Sequence, residues 1–185
     1  MIVTELHKGQ GLGNQLWCYA VCRSIADELK MPFMILGREN FKAAVFLDVD
    51  FHSKDHEISR AEQDYHVFHE RRFYDKEIDY IASGYDKSVE DLPLNTKIEG
   101  LFQSEKYFYG DLDRVKKYIQ IKDKYKNLVN IPDNTCILNI RGGEYKRHKK
   151  FNLPKSYWID AMNNMRDDYG ISRFLIVTDD HKYAR

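Results

Sequence analysis

Hydrophobic positions follow two different spacings at the start of the chain. The apolar opening MIVTEL has the length of a short strand, and residues 14–30 then place apolar side chains at helical spacing. Pro32 ends that helix, and the run PFMIL is typical of a fully buried strand. A strand, a glycine-rich turn, a helix and a second strand predict the opening of an open α/β sheet.

The middle of the chain has a weaker pattern. Residues 37–96 are polar and irregular, without an internal repeat, and residues 97–102 again have the character of a strand. The run QSEKYFYGDLDRVKKYIQ after them predicts a continuing helix. Residues 122–134 are polar and end in a Pro-Asp-Asn turn signal, so we place a domain boundary near them. The predicted domains are 1–131 and 132–185.

A second αβ pattern follows the boundary. Residues 136–140 predict a strand, RGGEYKRHKK a loop, and LPKSYWIDAMNNMRDDYG a helix that stops at Gly170. SRFLIVTDD predicts a buried strand that ends in two aspartates. With about 50 residues, this region is short for an independent domain. We therefore expect it to be the first part of a larger domain.

Composition narrows the classes of protein that fit. Lys+Arg and Asp+Glu both number 29, and a zero net charge argues against a nucleic-acid-binding protein. No stretch approaches the roughly 18 apolar residues of a membrane span, and the N-terminus lacks a signal-peptide pattern. Three cysteines give no disulfide framework, and the pair Cys18 and Cys22 fits small buried hydrophobes. We expect a soluble, cytoplasmic protein without stable membrane insertion.

The glycine-rich turn KGQGLGNQLW suggests a ligand. Its glycines form G-x-G-x-G, with Asn14 where a dinucleotide fingerprint has its last glycine, and the Lys-Ser/Thr of a P-loop is missing. Amides at the helix start suit a nucleotide sugar, and the amide of Asn14 either binds sugar hydroxyls or merely caps the helix. Arg38, just past the second strand, leaves open an NADP-binding oxidoreductase in which it would hold a 2′-phosphate.

A second candidate site lies at the ends of the last two predicted strands. Arg141 directly follows a strand, where open α/β sheets bind ligands, and a guanidinium can form two parallel hydrogen bonds to a diphosphate. Gly142 and Gly143 would let backbone amides approach the ligand. Asp179 and Asp180 end the next strand on the same edge, and suit ribose hydroxyls, a guanine edge, a metal or a helix cap. A basic run that is either a source of positive potential or a solvated loop follows Arg141: Lys146, Arg147, His148, Lys149 and Lys150.

Two further patterns are typical of metal sites but have little support. Asp48–Asp50 matches the D-x-D of some metal-dependent glycosyltransferases, yet its apolar FLDVDF context favours coincidence. The pairs His52/His56 and His66/His69 have ligand-like spacing in a polar region without cysteines, where surface histidines are the simpler interpretation. We predict no metal site.

Four segments together resemble the family 11 glycosyltransferases, the alpha-1,2-fucosyltransferases. GQGLGNQLWCYA is similar to the family's G-G-L-G-N-Q-L/M-F-Q-Y-A signature, and IEGLFQSEKYF to its G-Y-F-Q-S-x-K-Y-F segment. NIRGGEY resembles its H-x-R-R-G-D-Y motif, and VTDD its S-D-D motif. The four occur in the family's order across the whole chain.

The resemblance implies a GT-B-like α/β architecture. In it, a Rossmann-like N-terminal domain on the acceptor side precedes a second Rossmann-like, nucleotide-binding domain. It also implies an inverting, metal-independent and cofactor-free transfer of fucose from GDP-fucose to a glycan hydroxyl, in alpha-1,2 linkage to galactose. The expected partners are a nucleotide-sugar donor and a glycan acceptor.

Site residues follow from the resemblance by position. Arg141 would bind the donor diphosphate and Asn14 would face the GDP-sugar. Arg141, Asn14 and Glu144 are the expected catalytic residues; as general base, Glu144, Asp180 and a donor phosphate oxygen are alternatives. The expected donor-binding residues are Gly11, Gly13, Asn14, Gln15, Arg141, Gly142, Gly143, Asp179 and Asp180.

The chain also departs from the family. Asn139, Gly142 and Glu144 stand where the family has His, its second Arg and Asp, so one positive charge is missing from the phosphate site. Family members also continue further into the nucleotide-binding domain. The alternative expectation is a fragment, or a short homologue, that binds a nucleotide or glycan without catalysis.

Overall fold

The computed structural model describes residues 1–53, 64–77, 79–147 and 152–185. The chain divides into two compact units, Met1–Lys126 and Asn127–Arg185. The division therefore lies in the polar connection that the sequence pattern singled out, before residue 131 rather than after it. Each unit contains its own parallel strands.

Short strands and few helices make up both units. The strands of the first unit are β1 (Ile2–Glu5), β2 (Phe33–Leu36), β3 (Leu47–Asp48), β4 (His66–His69), β5 (Arg72–Asp75), β6 (Tyr80–Ser83), β7 (Thr96–Glu99) and β8 (Gln120–Ile121). Its α-helices are α1 (Leu12–Glu28) and α2 (Leu112–Tyr118). The second unit contains β9 (Thr135–Ile140), α3 (Lys155–Tyr169) and β10 (Arg173–Thr178). The predicted α/β class is confirmed.

A parallel sheet organises the first unit. Within the described residues it has four strands in the order β2-β1-β7-β4, which is consistent with a Rossmann-like fold. Helix α1 connects β1 to its neighbour β2, and β7 is added on the other side of β1. Ligands of open α/β sheets bind outside the carboxyl ends of strands at such a reversal of order. The strand pairs β3–β8 and β5–β6 are antiparallel and separate from this sheet.

Helix α1 supplies much of the core of the first unit. Tyr19, Val21, Cys22 and Ile25 are fully buried and pack in one cluster with residues from the sheet. Because α1 buries almost every side chain of its middle turns, β1 and the helix cannot shift relative to each other without losing apolar contacts. This packing fixes the position of the glycine-rich turn between them.

The long helix predicted after β7 is interrupted. A 3-10 helix spans Glu105–Phe108, and α2 begins only at Leu112, so the prediction of one continuous helix is wrong. Tyr109 and Gly110 separate the two pieces with φ angles of 52° and 77°, and a right-handed helix cannot pass through that conformation.

The second unit is a β–α–β arrangement. β9 and β10 pair in parallel, Ile140 opposite Thr178, and α3 stops at Gly170 with a φ of 65°, as predicted. The prediction that the last strand is buried is wrong: Leu175, Ile176 and Val177 are 42%, 46% and 50% exposed. The two strands described here form too small a sheet to be covered on both faces. None of the described helices is both long and apolar enough to cross a membrane.

Candidate functional site

The glycine-rich turn opens helix α1 at the carboxyl edge of the first sheet. Gly11 is the N-cap, and within the described chain no side chain caps the amides of the first turn. Asn14 lies inside the helix, so the alternative that it caps the helix is wrong. The first-turn amides can therefore donate hydrogen bonds to an oxygen of a ligand, at the positive end of the helix dipole.

Gly11 and Gly13 have no steric reason within the fold to be glycine. A Cβ atom on either would meet nothing within 4 Å, and neither has a positive φ. Gly37 is the opposite case, because its φ is +66° and a Cβ there would lie 2.1 Å from the carbonyl oxygen of Leu6. The space above Gly11 and Gly13 is thus open, as a close approach by a ligand requires.

Asn14 contacts a residue that sequence reasoning missed. Its Oδ1 accepts a hydrogen bond of 2.8 Å from Nε2 of Gln103, which is 89 residues away in sequence. Gln103 belongs to the second segment of the fucosyltransferase resemblance, and that membership was the one signal that could have identified it. The first two resembling segments therefore meet at the start of α1.

Glu70 holds the segment that carries Gln103. Its carboxylate is 4% exposed, and Oε2 accepts hydrogen bonds of 2.8 Å from the amides of Leu101 and Phe102. Oε1 accepts a further bond of 2.8 Å from the Tyr107 hydroxyl. Burial, together with this bond, raises the pKa of Tyr107, which stays a donor. Sequence reasoning missed Glu70 because the strand before it was not predicted.

Gln15 has a structural position instead of the predicted contact with the donor. Its side chain is fully buried, Nε2 donates to the carbonyl of Asn40 (2.8 Å), and Oε1 accepts from the amide of Lys42 (3.0 Å). Asn40 in turn donates to the carbonyl of Leu6 at 2.9 Å. Both ends of the Gln15 amide are used inside the fold, so Gln15 fastens the loop after β2 to the glycine-rich turn.

A small cavity, here called the central crevice, lies at the carboxyl ends of β1 and β7. Its volume is about 220 Å³. This is the place at which the strand order of the sheet reverses, and therefore the expected place for a ligand. The lining residues are Thr4, Glu5, His7, Gln10, Cys18, Arg72, Ile98, Glu99, Gly100 and Leu101.

Glu5 and Glu99, two carboxylates of the crevice wall, are both paired. Nζ of Lys97 lies 2.7 Å from a carboxylate oxygen of Glu5 and 3.1 Å from one of Glu99, and Nδ1 of His69 lies 3.3 Å from Glu99. The hydrogen bond from Lys97 lowers the pKa of Glu5. The Glu5 carboxylate thus stays ionised at neutral pH, and its remaining lone pairs can accept a hydrogen bond from a ligand hydroxyl. Burial raises the pKa of the Cys18 thiol to about 11, so this thiol is a neutral part of the wall.

The second unit brings Arg141 and Asp179 together, as their strand ends predicted. Nε of Arg141 lies 3.1 Å from Oδ2 of Asp179, and the guanidinium carbon is 5.0 Å from the ring centroid of Tyr145. Oδ1 of Asp179 accepts a hydrogen bond of 2.8 Å from the amide of Gly142. The Arg141 side chain remains 53% exposed while Asp179 orients it.

Gly142 and Gly143 are required by the packing of this loop. A Cβ on Gly142 would lie 2.7 Å from Cβ of Asp180, and one on Gly143 would lie 2.9 Å from Oδ2 of Asp179. Since Asp179 already accepts from the Gly142 amide, a ligand could use that amide only by displacing the carboxylate. The two glycines therefore serve the contact between the strand ends, in contrast to Gly11 and Gly13.

Asp180 caps the turn that follows β10. Its Oδ1 accepts a hydrogen bond of 3.1 Å from the amide of Tyr183, and its other oxygen is bound by the ammonium of Lys146. The bond to Lys146 is the first cause of a lowered pKa for Asp180, which makes it a weaker proton acceptor. Asp180 thus has a capping contact of the predicted kind, but within a turn and not at the start of a helix.

The remaining predicted positions add no contact to the two candidate sites among the described residues. Asp50 pairs with Arg23 at 3.6 Å, and in the described ranges no group of three or more His, Cys, Asp or Glu side chains could hold a metal. The side chain of Glu144 lies outside the described residues, as do His56, His148, Lys149 and Lys150 in full.

No protein-family model, curated protein or solved structure matches this chain.

Proposed function

We propose that this chain is a glycosyltransferase of GT-B-like architecture that transfers fucose from GDP-fucose to a glycan hydroxyl, with inversion and without a metal. One observation carries the proposal: the four resembling segments meet in pairs. Asn14 contacts Gln103 in the first unit, and Arg141 contacts Asp179 in the second. These contacts support the proposal because they bring residues of the resembling segments to the carboxyl ends of parallel strands, where open α/β sheets bind ligands.

The chemistry of the leaving group assigns Arg141 its role. As the bond between the fucosyl carbon and the phosphate oxygen breaks, negative charge grows on the diphosphate. A guanidinium held in place by Asp179 stabilises that charge, and removal of such a donor typically costs a few kcal/mol of transition-state stabilisation. The acceptor hydroxyl attacks the opposite face of the sugar and loses its proton to a base.

Three groups are candidates for the general base: Asp180, Glu144 and a phosphate oxygen of the donor. Of the alternatives, Asp180 is disfavoured by its ion pair with Lys146, which stabilises the ionised carboxylate. Glu144 and a phosphate oxygen of the donor therefore stay as the two proposals. Glu144→Gln, measured as turnover at saturating donor and acceptor, separates them: loss of turnover with unchanged GDP affinity supports Glu144, and retained turnover supports the phosphate.

Donor binding tests the proposal most directly. Calorimetric titration with GDP-fucose and with GDP, without added metal, should show binding to the unmodified chain that falls about tenfold or more in Arg141→Ala. Arg173→Ala is the matched control, because it removes the same charge from the opposite end of the strand pair. Equal affinities in Arg141→Ala and Arg173→Ala would contradict the role of Arg141. Transfer itself is then measured as GDP release in the presence of galactose-terminated glycans.

A second candidate function follows from Gly142. The fucosyltransferases have an arginine at this position, whereas here a Cβ would meet Asp180 at 2.7 Å and Tyr183 at 3.0 Å, so the loop has no room for one. A donor site with one cation fewer favours a chain that binds nucleotide or glycan without turnover. GDP binding without GDP release from GDP-fucose, across a panel of acceptors, would support this function over catalysis.

A further inference from the structure

A second and larger cavity, here called the β2 groove, lies in the first unit beside the loop that follows β2. Its volume is about 680 Å³, within the range of roughly 300–1,000 Å³ that small-molecule sites occupy. It shares no lining residue with the central crevice, and the predicted donor-binding residues are not part of its wall. The residues of its wall that matter here are Arg38, Glu39, Leu47, Asp48, Val49 and Phe51.

Arg38 is the distinctive group of this groove. Its guanidinium carbon lies 5.3 Å from the ring centroid of Phe51, and Phe51 packs edge-on against Phe41, with centroids 5.7 Å apart. Among the residues that the structure describes, no carboxylate lies within 4.0 Å of the Arg38 nitrogens. A guanidinium that rests on an aromatic ring keeps its N–H edges for an anion.

Two of the charged side chains that line the groove are engaged by other parts of the fold. The ammonium of Lys122 donates to the backbone carbonyl of Ala44 at 2.6 Å, and Asp50 pairs with Arg23 at 3.6 Å. Asp48 is exposed at the groove, as is Glu39, and carboxylates of this kind accept hydrogen bonds from sugar hydroxyls. The wall thus combines the guanidinium of Arg38, and the ammonium of Lys122 that the backbone engages, with carboxylate acceptors.

The loop that carries Arg38 is held in place. Gly37 adopts a φ of +66° at the end of β2, directly against the carbonyl of Leu6. Asn40 donates to the same carbonyl at 2.9 Å, and the buried Gln15 binds the carbonyl of Asn40. A group on a loop with these fixed contacts is preorganised for binding, which reduces the entropy lost when a ligand arrives.

We infer that the β2 groove binds a pyranose that carries a negatively charged group. Arg38 would bind the anionic group, Asp48 and Glu39 would accept from ring hydroxyls, and Leu47 and Val49 would contact the apolar face of the sugar. As the acceptor site of the proposed transferase, the groove would select acidic glycans. That role rests on the proposed function, whereas binding by the groove does not.

The matched ligands methyl galacturonoside and methyl galactoside test this inference, since they share a ring and differ in the charge at C6. NMR titration of the full chain, without nucleotide, should show about tenfold or more tighter binding of the uronide, because charge-assisted hydrogen bonds are the stronger class. That preference should disappear in Arg38→Ala and persist in Lys42→Ala, which removes a positive charge from the same loop. Methyl galactoside 6-sulfate, as a third ligand, separates a carboxylate from a sulfate preference.

Several outcomes would overturn the inference. They are equal binding of the charged and neutral sugars, binding of neither, and a preference that survives in Arg38→Ala. Tighter binding of adenosine 2′-phosphate than of both charged sugars would assign Arg38 to a nucleotide instead. An unchanged amide spectrum verifies that Arg38→Ala is folded. Since no nucleotide sugar is present, failure here leaves the GDP titration of Arg141→Ala unaffected, and the reverse also holds.

Discussion

At the scale of single residues, the glycines are of two kinds: some are required by the geometry of the chain, and others leave open space that a ligand could enter. Gly37 and Gly142 are glycines because any Cβ would collide with the fold, whereas Gly13 lies in the first turn of α1 with open space around it. A residue kept small without an internal reason suggests an external one. The same sequence motif can therefore be divided, residue by residue, into structural and ligand-facing positions.

The substitution Gly13→Ala should stabilise the protein and weaken donor binding. Alanine is up to about 1 kcal/mol better than glycine within a helix, and its methyl group meets no other atom of the described chain. The same methyl group would enter the space proposed for the donor. Urea denaturation should show a higher free energy of unfolding, while calorimetry should show a lower GDP-fucose affinity. Unchanged affinity would argue against donor approach at this turn.

Gly37→Ala provides the contrast. The alanine would have to adopt a positive φ, and its Cβ would lie 2.1 Å from the Leu6 carbonyl oxygen. Together these should lower the free energy of unfolding by about 1–3 kcal/mol or more. Urea denaturation at neutral pH measures the difference. A neutral effect would show that the loop after β2 relaxes easily, contrary to its hydrogen bonds.

Removing the Glu70 side chain should lower the free energy of unfolding about as much as Gly37→Ala does. Glu70→Ala leaves the amides of Leu101 and Phe102 without their acceptor, which costs about 1–3 kcal/mol per buried group left unpaired. Glu70→Gln retains one oxygen and should lose less. Urea denaturation of both, beside the exposed Glu105→Ala, tests the ranking. Equal stability of Glu70→Ala and Glu105→Ala would contradict it.

At the scale of elements, the strongly periodic parts of the sequence were predictable. The β1–α1–β2 and β9–α3–β10 units follow from hydrophobic spacing, and the contact of Arg141 with Asp179 follows from the parallel order of their strands. The region between residues 37 and 96 was not predictable, because its short strands owe their conformation to distant partners. β4, for example, pairs with β7, and its side chains are mostly exposed.

For the same reason, the sequence could not reveal most contacts of the site. The partner of Asn14 lies on an irregular segment after β7, and the ring beneath Arg38 lies beyond a loop of the polar region. Hydrophobic periodicity carries information about faces of elements and none about which loops meet. Parallel strand ends are the exception, because their register brings the following residues together.

The ion pair between Glu5 of β1 and Lys97 of β7 should make stability depend on pH. The folded-state pKa of Glu5 is lowered from 4.5, so its stabilising contribution is present above pH 4.5 and is lost as pH falls through the lowered value. Because the side chains of Glu5 and Lys97 both retain contact with water, we expect the ion pair to contribute no more than about 1 kcal/mol to the free energy of unfolding. Urea midpoints between pH 2 and 7 should fall less steeply in Glu5→Gln than in the unmodified chain or in Glu105→Gln. Identical slopes in all three would contradict this contribution.

At the scale of the whole molecule, burial is very unequal between the two units. Of the buried apolar residues within the described ranges, all but Leu138 and Ile140 belong to the first unit. No described side chain of α3 is buried, and β10 exposes its central apolar residues. Since apolar burial supplies most of the favourable free energy of folding, the first unit contains most of the stabilising core.

Residues 1–126 should therefore fold alone, and residues 127–185 should not form a cooperative structure alone. The first unit retains its sheet, α1 and the cluster around Tyr19, whereas the second would present a two-stranded sheet with little buried area. Urea denaturation followed by circular dichroism should give a sigmoidal transition for 1–126 and a gradual one for 127–185. Dispersed amide signals from 127–185 alone would contradict this division. All residues that line the β2 groove lie within 1–126. The shorter chain should therefore retain the binding of the charged sugar.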